Sequence, residues 1–234
     1  MNVFKYGGGM VRATDTRQVI LDAALRLFEE RGYAGTTMRA IAAEAGVATG
    51  NAYYWFADKD DLVQELYRRI QSEHRDRCAP VLGAGGTLQD RLLAVEHAYL
   101  DVIGQYHDFG VAFLSTAVGS DSPANPLSAA SSEAREMSLA IYRELVAGAR
   151  PLPTPRLRAV LPDLLWLCHL GLTLFWVSDA SPDQHRTRRL VDTAAPLVTG
   201  LVRLGRLPLA AGFVDQLGRV LAVALEQSTG TVAP

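Results

Sequence analysis

The sequence predicts an all-α protein, with a small N-terminal unit of three helices built on a helix-turn-helix and a larger helical body behind it. Three observations predict this. Apolar residues recur at i, i+3, i+4 and i+7 in one stretch after another, the spacing of a helix face. Clusters of glycine and proline separate these stretches. No run shows the alternation of a half-buried strand, and no internal repeat is present. A chain of 234 residues, 49% apolar and 21% charged, can bury a sizeable core and lacks the composition of a disordered protein.

In order, the first helix opens at Thr14 or Asp15, after a flexible arm over 1–13. It carries Ile20, Ala23, Ala24, Leu27 and Phe28 on one stripe. Gly32 ends it, and Tyr33 packs back on the stripe. Thr36 and Thr37 can each cap the second helix, because a hydroxyl there accepts an orphan backbone N–H. Met38, Ile41, Ala42 and Ala45 form its apolar face, and Gly46 supplies a left-handed turn at little cost. Val47 restarts the pattern for a short third helix over roughly 49–55. Two short helices around a glycine turn make a helix-turn-helix, whose second helix enters the major groove of DNA. Asp58 caps a fourth helix, with Asp61 in its first turn. Leu62, Leu66, Tyr67 and Ile70 carry it to about Cys78, before Pro80, Gly83, Gly85 and Gly86 break the chain. The domain boundary falls inside this helix. The N-terminal domain therefore covers 14–62, with the motif at about 37–56, and the body covers 63–228.

The body alternates helices and breakers. Helices are expected over 88–106, 109–118 and 127–147, with a turn-rich loop at 119–125. Pro151, Pro153 and Pro155 make an extended connection. The most apolar helix, 157–178, is entered through or just before Pro162. Ser181-Pro182-Asp183 then leads into 184–204, which Pro196 kinks or splits. A last amphipathic helix spans 213–226, and 229–234 is a frayed tail.

The run Thr36-Thr37-Met38-Arg39, with Ile41-Ala42, Ala45-Gly46-Val47, Gly50, Tyr53-Tyr54, Phe56, Lys59 and Leu62, resembles the DNA-binding signature of the TetR (tetracycline-repressor-like) family of bacterial transcriptional regulators. Three positions depart from that pattern. Ala48 stands where Ser or Thr usually caps the recognition helix, Ala52 where a larger apolar residue is common, and Trp55 where His or Tyr is common. Thr49 can take over the missing cap.

Groove recognition needs side chains at the start and on the exposed face of the second helix of the motif. By position these are Thr49, Gly50, Asn51 and Tyr53, with Gly50 allowing close approach and Asn51 able to pair with an adenine edge. Tyr53 and Tyr54 offer hydroxyls to phosphate, with core packing as the competing role. Arg39 is a candidate for a phosphate or a base edge. The resemblance implies that Thr37 and Lys59 touch phosphates from helix N-termini. Thr36 joins the candidates, and capping alone competes as a role for Thr36 and Thr37.

The resemblance also implies a homodimer, with helices 157–178 and 184–204 of each subunit forming a four-helix bundle, and a ligand pocket within 62–177. Candidate lining residues are Tyr67, Tyr99, Tyr106, Phe109, Phe113, Met137, Tyr142, Trp166, His169 and Phe175, each with a plain core role as its alternative. The expected function is a cytoplasmic repressor that binds a palindromic operator in double-stranded DNA and is released by a small apolar or aromatic effector. Two alternatives stay open: a helix-turn-helix protein acting through a protein partner, and an activator without a ligand.

Charge does not support the DNA reading. The formal net charge is −2. Between Met10 and Asp61, Arg12, Arg17, Arg26, Arg31, Arg39 and Lys59 are outnumbered by Asp15, Asp22, Glu29, Glu30, Glu44, Asp58, Asp60 and Asp61. Cys78 and Cys168 are far apart and in no metal spacing, which suits reduced thiols. No signal peptide is evident, and Met1 and Met10 are both possible starts. The longest apolar run, 164–177, falls short of the roughly 20 residues of a membrane span. An α-helical metal enzyme is the remaining class. None of His74, His97, His107, His169 and His185 has a Glu three residues before it, and His97 with Asp101 is one weak pair. Neither a nucleophile elbow nor a phosphate loop is present. No catalytic residue, metal ligand, cofactor or membrane partner is therefore expected.

Overall fold

The computed structural model describes residues 13–119 and 122–226, with side chains from 16 to 225 within those ranges. The expected tail, most of the expected arm and the choice between Met1 and Met10 lie outside the described residues. Among the described residues the chain is helical and has no strand, only an isolated bridge pairing Gly86 with Ala149. It divides after Leu62 into two compact units.

The first unit contains α1 (Ala13–Gly35), α2 (Met38–Glu44) and α3 (Thr49–Trp55) and ends in the first turn of α4 (Lys59–Gly83). Its core is the apolar stripe read from the sequence. Ile20, Ala23, Ala24, Leu27 and Phe28 of α1 are buried with Met38, Ile41 and Ala42 of α2, Ala52 of α3 and Phe56. Gly32 adopts φ 72°, ψ 161° and kinks α1, so that Tyr33, Ala34 and Gly35 form a short turn beyond the kink. The Phe28 and Tyr33 rings then meet at 5.1 Å.

The second unit holds the rest of α4, then α5 (Leu88–Ile103), α6 (His107–Ala117), α7 (Ser132–Gly148), α8 (Pro155–Val177), α9 (His185–Leu204) and α10 (Ala211–Glu226). Short 3₁₀ turns at Gly104–Tyr106, Pro182–Gln184 and Pro208–Ala210 precede α6, α9 and α10. Leu92 and Val95 of α5, Leu139, Ile141, Tyr142 and Leu145 of α7, and Leu157, Leu161, Leu165 and Trp166 of α8 build one core.

Several boundaries differ from those expected, each for a local reason. α4 continues through Pro80 to Gly83. Its last carbonyls are taken by Arg91, which is 1% exposed and whose guanidinium donates to Val81 O (2.7 Å), Leu82 O (3.2 Å) and Ala84 O. The same group donates to Glu144 O and Leu145 O near the end of α7, both at 2.9 Å. One buried cation thus caps two helix C-termini, where the macrodipoles favour it. α7 begins at Ser132 rather than 127, because Asn125 and Ser128 hold the preceding segment in turns through Leu127 N and Ser131 N. α8 begins about two turns before Pro162, with Thr154 as its cap and Pro155 at its first position. Pro196 neither splits α9 nor interrupts it. It is exposed, so the carbonyl it leaves free can turn to water.

Helices α8 and Pro208–Leu225 are long and apolar enough to cross a membrane. α8 instead buries Leu157, Val160, Leu161, Leu165, Trp166 and Trp176 inside the body. Exposed apolar residues stand on α8, with Leu174 and Phe175, and in greater number on α9 and α10. Leu190, Leu197, Leu201 and Leu204 form a stripe along α9, and Phe213, Val220 and Val223 another along α10.

Candidate nucleic-acid interface and ligand cavity

The turn of the helix-turn-helix is a Schellman motif. Gly46, at φ 69°, donates to Ala43 O (3.2 Å), and Val47 donates to Ala42 O (2.9 Å). A side chain at φ near +70° would be strained there, which is why glycine occupies the position. Thr37 caps α2 and accepts from Ala40 N at 3.2 Å. Ala48 is the N-cap of α3, with extended φ/ψ and no side-chain cap. Thr49 does not replace it: Thr49 is already the first helical residue, past the position from which a hydroxyl can reach the free N–H groups.

Ala52 and Phe56 anchor α3, both fully buried. That leaves Thr49, Gly50, Asn51, Tyr53 and Tyr54 on the outside. Tyr53 is 53% and Tyr54 78% exposed, so neither is a core residue, and Tyr54 meets the Trp55 ring edge-on at 5.0 Å. Arg39 is exposed near the start of α2 and has no ion-pair partner among the described residues, whereas Arg26 is paired with Glu44 at 3.3 Å.

Thr36 is placed elsewhere than expected. It is 1% exposed, and its hydroxyl donates to Leu27 O (3.0 Å) and Gly32 O (2.9 Å), closing the end of α1. It has no surface to offer a phosphate. Lys59 has a structural engagement that the sequence did not suggest. Its ammonium donates to Tyr33 O at 2.6 Å and lies 4.3 Å from the Tyr33 ring centroid. The Tyr33 hydroxyl in turn donates to Asp60. Burial, then the Asp60 hydrogen bond and charge, keep that phenol protonated far above its ordinary range. Asp58 caps α4 through Asp61 N at 2.9 Å.

In the body, a cavity of about 480 Å³ lies among α4, α5, α6, α7 and α8. Of the expected lining residues, Tyr67, Tyr99, Tyr106, Phe109, Phe113, Trp166 and His169 border it. Three do not. Tyr142 is fully buried in the core and donates to Glu96 Oε1 at 2.7 Å. Met137 lies on a different flank of α7 from Ala134 and Ser138, which do line the cavity. Phe175 is turned outward beneath the Arg186 guanidinium, while its neighbours Leu174 and Trp176 face the cavity. The sequence reading missed Gln71, Arg135, Ser138 and Thr173, which also line it. The available signal was the helical spacing of Ser131, Arg135 and Ser138, a polar face on an otherwise buried side of α7.

The cavity wall contains a buried polar cluster. His169 Nδ1 lies 3.1 Å from Glu96 Oε2, and Tyr99 Oη lies 3.1 Å from Thr173 Oγ1. Burial works against ionisation of Glu96, but the charge and hydrogen bond of His169, the Tyr142 hydroxyl and the charge of His74 outweigh it, so the carboxyl titrates below its usual range. Burial pushes the Tyr99 phenol up to about 12. His169 also borders a second cavity of about 290 Å³, with Glu96, Cys168, Leu190 and Ala194. His97 and Asp101, the weak pair dismissed as a metal site, have separate partners: His97 bonds Asp192 at 2.8 Å, and Asp101 pairs with Arg188 at 2.8 Å.

Two family models match the chain. Residues 20–66 match "Bacterial regulatory proteins, tetR family" and residues 91–217 match "Tetracyclin repressor-like, C-terminal domain". A stretch of 60 residues is 47% identical to the HTH-type transcriptional regulator AcrR of Shigella flexneri, covering 26% of this chain and 28% of that one. The chain matches less than half the length of the curated relatives. The fold is similar to that of a TetR-family transcriptional regulator from Syntrophomonas wolfei (TM-score 0.64, 19% identity, 84% of this chain and 99% of that one). It is also similar to FadR of Bacillus subtilis in complex with stearoyl-CoA (TM-score 0.63, 18% identity, 76% and 96%). With its helix-turn-helix and most of its helical body both matched, the chain belongs to the TetR family of bacterial transcriptional regulators.

Proposed function

We propose that the protein is a cytoplasmic homodimeric repressor that reads a palindromic operator through α3 and releases it when a mid-sized, mostly apolar molecule fills the body cavity. The carrying observation is the face of α3. Gly50, Asn51, Tyr53 and Tyr54 stand outward on a helix fixed from behind by Ala52 and Phe56. Thr37 and Arg39, at the start of α2, supply phosphate contacts. Lys59 adds positive charge at the start of α4, where the macrodipole favours an anion, although its ammonium is already held by Tyr33 O. A single module binds DNA weakly, and two modules related by symmetry read two half-sites. The apolar stripes of α9 and α10 are the surface that supports dimerisation.

The coupling element is α4. It starts in the first unit, and its Leu66, Tyr67, Ile70 and Gln71 line the cavity. A ligand that prefers one position of α4 shifts the DNA-binding equilibrium by its differential affinity for the two states.

Selection of random duplex DNA by the purified protein tests this reading, with a Tyr53→Ala, Lys59→Ala double variant alongside. The expected result is an enriched palindrome that the variant fails to select, with affinity falling steeply as salt rises. No enrichment at low salt, or a flat salt dependence of complex formation, would replace the DNA reading with a protein partner.

A further inference from the structure

The cavity lining carries one guanidinium and no carboxylate of its own; the buried Glu96 stands behind His169. Among its lining residues there is no Asp or Glu, and Arg135 is the only Arg or Lys. The Arg135 guanidinium is half-buried, and its Nη1 donates only to neutral acceptors, Pro126 O (2.9 Å) and Ser128 O (3.1 Å). No carboxylate pairs with it among the described residues. The two acids nearest in sequence are engaged elsewhere: Glu133 with Arg68 at 3.3 Å, and Glu136 with Arg143. Cations taken out of water are ordinarily paired.

A second observation lies one turn along α7. Ser138 lines the cavity, is 2% exposed, and its Oγ has no hydrogen-bond partner among the described residues. Buried hydroxyls are rarely left so. Ser131, Ala134, Arg135 and Ser138 therefore bring the N-terminal half of α7 to the cavity, and with it a guanidinium-bearing side chain and a hydroxyl with no partner among the described residues. The remainder of the wall is apolar, with Leu66, Ile70, Ile103, Phe113 and Trp176 among it.

We propose that the effector is an amphiphile with an apolar body and a single anionic end group, such as a carboxylate, held by Arg135 and Ser138. The inference rests on the reading of the cavity as the effector site and names the chemistry that site selects. The remaining guanidinium donors, Nη2 and Nε, suit a carboxylate, and charge-assisted bonds of this kind are about twice as strong as neutral ones. A cationic effector would meet no carboxylate among the lining residues, only aromatic faces and the Gln71 carbonyl, and would lie in the same cavity as the Arg135 charge.

The test compares three probes with one tail: decanoate, decan-1-ol and decyltrimethylammonium. Binding is measured by titration calorimetry at pH 8 to the full chain. Decanoate is expected to bind about tenfold more tightly than decanol, and decyltrimethylammonium more weakly than either. Arg135→Gln should erase the preference for decanoate by weakening decanoate far more than decanol, and decanol binding that persists reports that the cavity is intact. Arg135→Lys should keep much of the preference, and Ser138→Ala should reduce it severalfold. Decanol binding as tightly as decanoate, or a preference that survives Arg135→Gln, overturns the proposal and leaves the cavity as an effector site of another chemistry. If none of the three binds the wild-type protein, both the proposal and the effector reading of the cavity fall together. The wild-type comparison decides the question even if a variant misfolds.

Discussion

Giving α3 the cap it lacks should stabilise the recognition helix. Ala48 sits at φ −64°, ψ 143°, the extended geometry of an N-cap, but has no oxygen to offer. Its carbonyl already accepts from Asn51 N (2.9 Å) and Ala52 N (3.2 Å), so the backbone of the first turn is in place. Ala48→Ser would add a hydroxyl acceptor for Gly50 N or Asn51 N without moving the backbone. A cap of this kind contributes about 0.5–2 kcal/mol. Ala48 is exposed, so water competes, and the lower part of that range, about 0.5–1 kcal/mol, is expected. For a chain of this size that is a rise in Tm of roughly 1–4 °C. Amide exchange at Gly50 and Asn51 gives the local readout, and protection there should rise about two- to fivefold, the same free energy expressed as an equilibrium constant. Operator affinity should rise by no more than that factor if the gain is pre-ordering of α3. Ala48→Val, which has no acceptor, should do none of this. Unchanged exchange in the serine variant, or an equal gain in the valine variant, would refute the capping argument. Thr37→Ala is the mirror test on α2, where a cap bond is present, and should cost about 1 kcal/mol.

Three further outcomes are expected. Thr36→Val should destabilise the protein by about 1–2 kcal/mol, because Leu27 O and Gly32 O lose their donor, while operator affinity per folded molecule stays as in wild type; a direct loss of affinity would restore Thr36 to the interface. Arg91→Leu should cost about 3–5 kcal/mol in urea unfolding, since it strips several terminal carbonyls of α4 and α7 at once. Gly148→Ala should also be strongly destabilising, because a Cβ there would run into the same guanidinium; a near-neutral result for both would remove Arg91 as the clamp. His74 supplies a pH signature. Burial first, then the charge of His169, lower its pKa from 6.5 to about 4, against the pull of the Val95 carbonyl and Glu96. The unfolded chain therefore binds the extra proton, and stability falls as pH drops from about 6.5 to about 4, by up to about 3 kcal/mol. Urea midpoints at pH 7.5, 5.5 and 4.5 should show a shallower acid slope in His74→Gln than in wild type; parallel slopes would assign the acid lability to other groups.

The motif was legible because its constraints are local. A left-handed position after a short apolar helix admits little but glycine, and Gly46 announced the turn. The buried sides of α1 and α2 followed from spacing alone. The body was legible as helices but not as contacts. Proline was the main source of error: at Pro80 and Pro196 the helix continues, and nothing in the local sequence tells how each freed carbonyl is satisfied. Arg91 lies 54 residues from Leu145, so its role could emerge only once α4, α5 and α7 were packed.

The cavity shows the same limit from the other side. Aromatic residues at helical spacing pointed to Tyr67, Tyr99, Phe109 and Phe113, which border the cavity, because large rings on one face of a helix must meet either core or cavity. They also pointed to Tyr142, which by spacing is as good a candidate, yet lies in solid core with its hydroxyl on Glu96. Hydrophobic pattern cannot separate the two, since a pocket wall and a core face bury the same residues. The aromatic hydroxyls do not separate them either, since Tyr67 and Tyr99 on the cavity have partners as Tyr142 does; the polar residues of α7 differ. Tyr142 has its partner, whereas Ser138, on the same helix, has none among the described residues. Arg135 has carbonyls but no counter-charge among the described residues. An unsatisfied donor on a buried face of an otherwise well-paired helix is costly unless something else completes it. On the proposed reading, the residues that would select an effector are thus the ones that break the apolar pattern.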